Sequence, residues 1–593
     1  MSGFIGASRG IKITIEPGGK IIQGEVGNNL AQILKKEGIN INTWCGLKGI
    51  CGKCAVEIIE GRLNKKKEEE IKIGKIKGWP QSYRLACQII LKEDLRIKIP
   101  EESIVKDFKI LDRGLMIKKE IEPAVKKYQI SLVDSDLVKA GSILNYLKEK
   151  LKIEDLKFSL SSLEEIGQFD LENDIVIYVY NGKELVRIGR GDVSSPLLGL
   201  AIDLGTTTIV MEAIDLESGE ILGRQTDFNH QLNFGGDVLS RIAFACSSPE
   251  NLKKLQTTVI EELNQMVEKL CYFCGLKKED FMEAVVAGNT TMNHLLLGLP
   301  VASLARAPFI SFFTSLEPLR AKELNLQINP EARIFIAPNI RSFVGGDISA
   351  GLMAAGLFDH PGPFAFIDLG TNGEIVIKKD DQIVVTSTAA GPAFEGGNIS
   401  CGLPAVNGAI CRAELINNEL KIETVNNRPA RGICGSGLID LLAVFLQQGV
   451  IKPDGRVAGS QEKIEIQADI FLTQDDVRQA QLACAALKTG FRLLLENLSL
   501  DPRKLQAIYL AGGFGQELSI ENSQAIGLIP RIEKEKVVFL GNTSLAGARL
   551  LLLNNNARQQ LLSFLERIEY ISLAMEPKFQ DYFFQALRFE PWP

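Results

Sequence analysis

Four cysteines near the N-terminus constrain this chain more than any other feature. Cys45, Cys51 and Cys54 share one loop, spaced C-x5-C-x2-C, and Cys87 follows after 32 further residues. Three thiols in one loop with one standing apart require the backbone to wrap around a common point. The plant-type [2Fe–2S] rule is C-x4-C-x2-C followed by a distant fourth cysteine, so the first gap here is one residue longer. Gly46, Gly49 and Gly52 lie between the candidate ligands. Glycine lets a loop curl with φ values that other residues avoid and turns its amides toward the sulfides. A zinc site also takes four thiolates, but it usually pairs two short Cys-x2–4-Cys hooks. The pattern therefore reads as a [2Fe–2S] site with Cys45, Cys51, Cys54 and Cys87 as metal ligands, zinc and free thiols being the alternatives.

The surrounding segments predict a small β-rich unit over residues 1–99. IKITIEP and KIIQGEV flank Gly18-Gly19 as a hairpin. NNLAQILKKEG follows with helical spacing and an N-cap at Asn28 or Asn29, and AVEIIEG and DLRIKIP return as strands. This order is β-grasp-like, and the longer first gap resembles the adrenodoxin-like branch of ferredoxins. Residues 100–107 (PEESIVKD) read as a linker. Residues 108–193 form a smaller α+β region, with a helix in SILNYLKEKLK and a strand in DIVIYVY. From 194 to 593 strands and amphipathic helices alternate, and two lobes are expected at about 199–355 and 356–593. AIDLGTTTIV and FIDLGTNGEIVI echo each other near the start of each half.

The C-terminal part contains no Walker A loop. Instead, Asp203-Leu204-Gly205-Thr206-Thr207-Thr208 joins two apolar strands, and Asp368-Leu369-Gly370-Thr371-Asn372-Gly373 repeats the device. A Gly-Thr turn offers amides and hydroxyls to phosphate oxygens, and the aspartate can hold Mg²⁺ through water. Two such turns facing each other would clamp a polyphosphate. Gly435 and Ser436 open an apolar helix whose first amides suit an anion; tight packing is the other reading. Gly288-Asn289-Thr290-Thr291-Met292-Asn293-His294 opens another helix, either on the substrate side of the first half or as a polar cap with His294 on a surface face. Cys271 and Cys274 form a CxxC at an apolar helix end, read as a packed pair of small side chains.

These motifs resemble, in order, those of the superfamily of acetate and sugar kinases, heat-shock chaperones and actin. The resemblance implies a duplicated ribonuclease H-like, actin-like ATPase domain that binds ATP with Mg²⁺. It adds Gly346–Leu352 as a first connecting helix, with Asp347 matching the carboxylate that orients the attacking water in the chaperones. Gly396 and Gly397, in AGPAFEGG, fall at further phosphate contacts. Gly512, Gly513 and Phe514, in AGGFG, look like the adenosine loop, and Gly541–Ala548 resembles the second connecting helix. Each motif alone could be a plain turn, cap or close contact; the order of five carries the reading.

A cysteine module fused to such an ATPase resembles the reductive activators of corrinoid proteins over nearly the full length. VAGNTTM, VGGD, IDLGTNGE, CGSGLID and LAGGFG, in that sequence, are specific to that family. The resemblance implies an ATP-hydrolysing reductase that passes one electron from its cluster to cob(II)amide on a partner methyl-transfer protein, regenerating cob(I)amide. Asp203, Thr206, Asp368 and Thr371 would hold Mg-ATP, and an external donor would refill the cluster. A plant-type cluster sits near about −400 mV and the cobalt couple lies lower still, so ATP must help. The alternatives are a small-molecule kinase with a fused ferredoxin, or an ATP-gated carrier to another low-potential acceptor such as a dehydratase. Dehydratase activators, however, hold a [4Fe–4S] cluster between two subunits. The middle region is left to support a homodimer or to space the cluster from the ATPase.

A net charge of −6 leaves no footprint for nucleic acid. The N-terminus lacks a secretory apolar core, no uninterrupted apolar run reaches membrane-spanning length, and eleven cysteines without such a signal suit a reducing cytoplasm.

Overall fold

The computed structural model describes residues 10–37, 39, 41, 47, 49, 52, 54–76, 78–100, 103, 121–132, 134–167, 174–190, 196–459, 463–512 and 518–592. Cys45, Cys51, Gly46, Gly513, Phe514 and most of the expected linker 100–107 lie outside them.

Period-two alternation in Gly10–Glu16 turns Ile11, Ile13 and Ile15 into one core. That strand pairs antiparallel with Lys20–Glu25 and parallel with Leu95–Lys98. The sheet continues through Ala55–Glu60 to Tyr83–Leu85. Asn29 caps the helix Leu30–Lys36, its Oδ1 accepting from the Ala31 and Gln32 amides, and Leu30, Ala31 and Leu34 close the core. This is the β-grasp order expected from the sequence.

Residues 121–190 build an antiparallel sheet of Val125–Ile130, Ile175–Tyr180 and Glu184–Arg190, in that order. The central strand, IVIYVY, is buried throughout, as an unbroken apolar run requires when both faces are covered. Ile175, Ile177 and Val179 pack on the unit's own helices. Val176, Tyr178 and Tyr180 instead join the core that contains Met282, Phe335 and Leu552. The middle region is thus packed onto the ATPase-like domain rather than strung before it.

Two six-stranded sheets organise the rest. In the first, the hairpin Leu198–Leu204/Thr208–Asp215 lies beside the parallel strand Phe281–Gly288. In the second, the hairpin Phe364–Leu369/Gly373–Lys379 lies beside the parallel strand Ala507–Ala511. The sequence echo is therefore a duplicated strand–turn–strand. The helix Thr543–Leu553, late in the chain, packs back on the first sheet and crosses the helix Gly346–Ala354. The crossing is close: a Cβ on Gly547 would lie 2.3 Å from the Ala350 carbonyl oxygen, and one on Gly351 would lie 2.7 Å from Thr543 Oγ1.

An ion pair binds these parts together. Arg558 Nη1 donates to Glu283 Oε1 at 2.7 Å and lies 3.3 Å from the Tyr180 hydroxyl, all within the core. Removing one partner of such a pair leaves an uncompensated buried charge. Arg558→Met is expected to destabilise the fold by about 3–5 kcal/mol, measured by denaturant unfolding, and adding Glu283→Gln should recover part of the loss.

Candidate nucleotide site and cluster module

The first turn, Gly205–Thr207, is tight enough that a Cβ at Gly205 would lie 2.5 Å from the Thr208 carbonyl oxygen. Three neighbours brace it. Asn229 donates its backbone amide to the Thr207 oxygen and its Nδ2 to the Gly205 oxygen, both at 2.9 Å. Asn289, the N-cap of the helix Thr290–Leu297, donates Nδ2 to Thr206 Oγ1 at 2.9 Å, and Arg241 Nη2 donates to the Thr206 oxygen. In the second turn the Gly370 amide bonds the Asn372 oxygen at 3.0 Å. Thr371 Oγ1 donates to Glu395 Oε2 at 2.6 Å.

Carboxylates from both lobes gather between the turns. Asp203, from the first sheet, accepts from Asn542 Nδ2 and Ser544 Oγ, each at 2.8 Å and both from the connecting helix region of the second half. Asp347 sits in the first turn of the helix Gly346–Ala354, whose N-cap is Gly345, and its Oδ1 accepts the Ile348 amide at 2.8 Å. Asp203, Asp347 and Asp368 keep some contact with solvent, as a ligand site requires. Surrounding protein nevertheless desolvates them. Burial, aided by the charge of Asp203, pushes Asp347 up to about 7. Burial, with Asp347, Asp203 and Glu395 adding repulsion, pushes Asp368 up to about 7. Burial raises Asp203 as well, against the two hydrogen bonds that favour its charge. Asp203, Asp347 and Asp368 meet in one pool of mutually repelling acceptors, a donor set that fits a divalent cation.

Two members of the pool escaped the sequence reading. Glu374, buried in the strand after the second turn, accepts from Ser387 Oγ at 3.1 Å. Burial, then Asp347 and Asp368, raises it well above the ordinary carboxylate range. Glu395 is raised by burial against the Thr371 hydroxyl. Both lie inside the quoted motifs, as the last residue of IDLGTNGE and the glutamate of AFEGG. The strand period places Glu374 on the same face as the turn's ligands, a signal that could have found it.

The remaining glycines divide. Gly512 touches the site: a Cβ there would lie 2.9 Å from Asp368 Oδ1. Gly396, Gly397, Gly435 and buried Ser436 pack against their own protein. Cβ atoms at Gly396 and Gly435 would fall 2.3 Å from the Leu403 oxygen and 1.9 Å from the Phe394 oxygen, so close approach accounts for those glycines. His294 lies in the core rather than on a surface face, its Nδ1 donating to the Thr290 oxygen at 2.6 Å and its Nε2 accepting the Phe312 amide at 3.1 Å. Cys271 and Cys274 pack against the core of the first lobe.

In the N-terminal module Cys54 precedes the strand Ala55–Glu60 and Cys87 sits in the short helical turn Ala86–Gln88; both are buried. The Ala86 amide donates to the Cys54 oxygen at 2.8 Å. Gln88 Nε2 lies 3.5 Å from Cys87 Sγ and 2.7 Å from the Leu47 oxygen. Gly49 and Gly52 adopt φ of 77° and 67°, the conformation a loop curling around a ligand needs. Beneath them Glu70 receives Arg84 Nε at 2.7 Å and the Leu85 amide at 2.8 Å. Buried thiols with an amide donor at the sulfur fit an iron–sulfur ligand set.

A ferredoxin-like module joined to a duplicated, carboxylate-lined phosphate clamp defines a class: iron–sulfur proteins fused to an actin-like ATPase domain. Comparison with known proteins agrees. Residues 13–92 match the 2Fe-2S iron-sulfur cluster binding domain, residues 198–360 the RACo middle region, and residues 363–591 the C-terminal domain of RACo, the ASKHA domain. The corrinoid activation enzyme RamQ of Eubacterium limosum is 31% identical over 574 residues, 92% of this chain and 93% of that protein. The [Co(II) methylated amine-specific corrinoid protein] reductase of Methanosarcina barkeri is 27% identical, over 66% of this chain and 77% of its own. A solved reductive activator for corrinoid, iron-sulfur protein superposes with TM-score 0.73 at 33% identity, covering 98% of both chains. The chain belongs to the family of reductive activators of corrinoid proteins. No helix among the described residues is long and apolar enough to cross a membrane.

The raised carboxyls make stability fall with pH. Below about 4 the folded and unfolded states are both protonated. As pH rises from 3.8 towards 7 the folded state holds the extra protons at Asp347 and Asp368, so stability is lost across that window and the penalty is complete above it. Asp368→Asn is expected to stabilise the nucleotide-free protein at pH 8 by about 1–2 kcal/mol, with little effect at pH 4. Thermal unfolding of both proteins at the two pH values checks this.

Proposed function

We propose that this protein is an ATP-dependent activator that passes one electron to the cobalt of a corrinoid protein, returning cob(II)amide to cob(I)amide. The observation that carries the reading is the full-length likeness to a corrinoid activation enzyme, which spans both the cysteine module and the carboxylate pool. Held by Cys45, Cys51, Cys54 and Cys87, a [2Fe–2S] cluster supplies single electrons at low potential.

The chain's other residues serve ATP. Asp203 and Asp368, one from each lobe, would hold Mg²⁺ through water. The turns formed by Gly205, Thr206 and Thr207 and by Gly370, Thr371 and Asn372 would face the phosphates with those amides and hydroxyls not already bonded within the protein, and Gly512 backs the second turn. Asp347 orients the attacking water, with Glu374 close beside it. Hydrolysis and product release alter the angle between the lobes at the Gly351–Gly547 crossing, and the docked partner meets that change. The need for ATP is energetic, since each 100 mV uphill costs roughly 2.3 kcal/mol per electron. An external donor, a cytoplasmic setting and a homodimer belong to the same reading; exposed Val138 and Leu160, on helices of the unit 121–190, support the last.

The test uses the full chain, anaerobic and chemically reduced, mixed with an oxidised corrinoid protein of the methyl-transfer type. Cob(I)amide absorption should grow with Mg-ATP, at least tenfold faster than without nucleotide, and Asp368→Asn or Cys87→Ala should remove the acceleration. Equal rates with and without ATP would overturn the proposal. Phosphate arriving on a sugar or acid instead of water would favour a kinase.

A further inference from the structure

Away from the carboxylate pool, three metal-ligating side chains meet where the strand Ile221–Phe228 runs out against the long helix Pro249–Cys274. Asp227 lies at the end of that strand, His230 opens the turn His230–Asn233, and Glu262 comes from the middle of the helix. One ligand atom of each lies within 4.8 Å of the other two, and His230 Nδ1 is 3.8 Å from Glu262 Oε2. Glu262 is 1% exposed. Its Oε2 accepts the His230 backbone amide at 2.7 Å, whereas its Oε1 is buried with no hydrogen-bond partner among the described residues. A buried carboxylate oxygen with nothing to accept is costly, and a bound cation removes that cost.

We propose that Asp227, His230 and Glu262 bind a divalent transition-metal ion of the zinc type, with water in the fourth position. One imidazole and two carboxylates with an open position suit such an ion. Tetrahedral bonds of about 2.1 Å set ligand atoms about 3.4 Å apart, so the site closes by small rotations of Asp227 and His230, both partly exposed, onto a fixed Glu262. Two cations face the group. Lys269 Nζ lies 2.8 Å from Asp227 Oδ2, and its side chain, 44% exposed, can turn to solvent. Arg241 stays in place, held by the Gly235 and Thr206 oxygens and by Gln231 Oε1.

The position gives the ion a role. Asn229, between two of the ligands, donates two of the four hydrogen bonds described above to the Gly205–Thr207 turn. An ion that clamps residues 227 and 230 to the helix braces the first phosphate turn from behind.

The test takes the full chain with its cluster assembled, without nucleotide, and adds Zn²⁺ alone. Anomalous diffraction at the zinc edge should place one ion among the three side chains, and equilibrium dialysis should count it. Lys269→Met, which releases Asp227, should tighten binding at least fivefold. Glu262→Gln and His230→Gln should each lose the ion, and the partly exposed His230 gives the answer even if Glu262→Gln fails to fold. Zinc found only at cysteines or at the Asp203–Asp368 pool, or an unchanged count in His230→Gln, would overturn the proposal.

Discussion

Burial of carboxylates brought together from both halves of the chain, several of which also repel one another, is the constraint on which the rest of this structure depends. Asp203, Asp347, Asp368, Glu374 and Glu395 stand where water is scarce, and the charges of several of them raise their neighbours. In a low-dielectric setting like charges interact far more strongly than in water. The fold tolerates the arrangement because Asn542, Ser544, Ser387 and Thr371 donate into the pool. Those donors also report geometry. Asn542 and Ser544 follow Val537–Gly541, an edge strand of the second sheet, so their bonds to Asp203 span the two halves.

That bridge explains why the connecting helices cross so closely. Gly351 and Gly547 bring the two backbones together where any side chain would collide, and the crossing lies within one helix turn of Asp347 and a few residues from Ser544. The carboxylates therefore lie directly beside the closest contact between the two halves. The middle sheet is attached to the same body through Tyr180, Arg558 and Glu283, so a movement of the first lobe reaches residues 121–190 as well.

Much of this was legible in the sequence because it rests on local pattern. The hairpin at Gly18-Gly19, the Asn29 cap and the doubled DLGT turns follow from turn chemistry and strand period. Residues whose role depends on distant partners were not. Glu374 and Glu395 read as ordinary charged residues until the fold sets them beside Asp347, Asp368 and Thr371. At 396 and 435 packing also demands glycine, because the Leu403 and Phe394 carbonyl oxygens leave no room for a Cβ. His294 carried no sign of burial, since its partners are a loop amide 18 residues on and a carbonyl one turn back. IVIYVY marked a strand, but only the fold reveals that its second face belongs to another domain.

ATP is itself a polyanion, so it can approach an acidic pool only with a cation between them. Calorimetric titration of the nucleotide-free protein with ATP, with magnesium present and with magnesium removed, tests this most directly. The expected result is binding at least tenfold weaker without magnesium, with the gap closing in a variant that combines Asp347→Asn and Asp368→Asn. Equal affinity for ATP in both conditions would contradict the account.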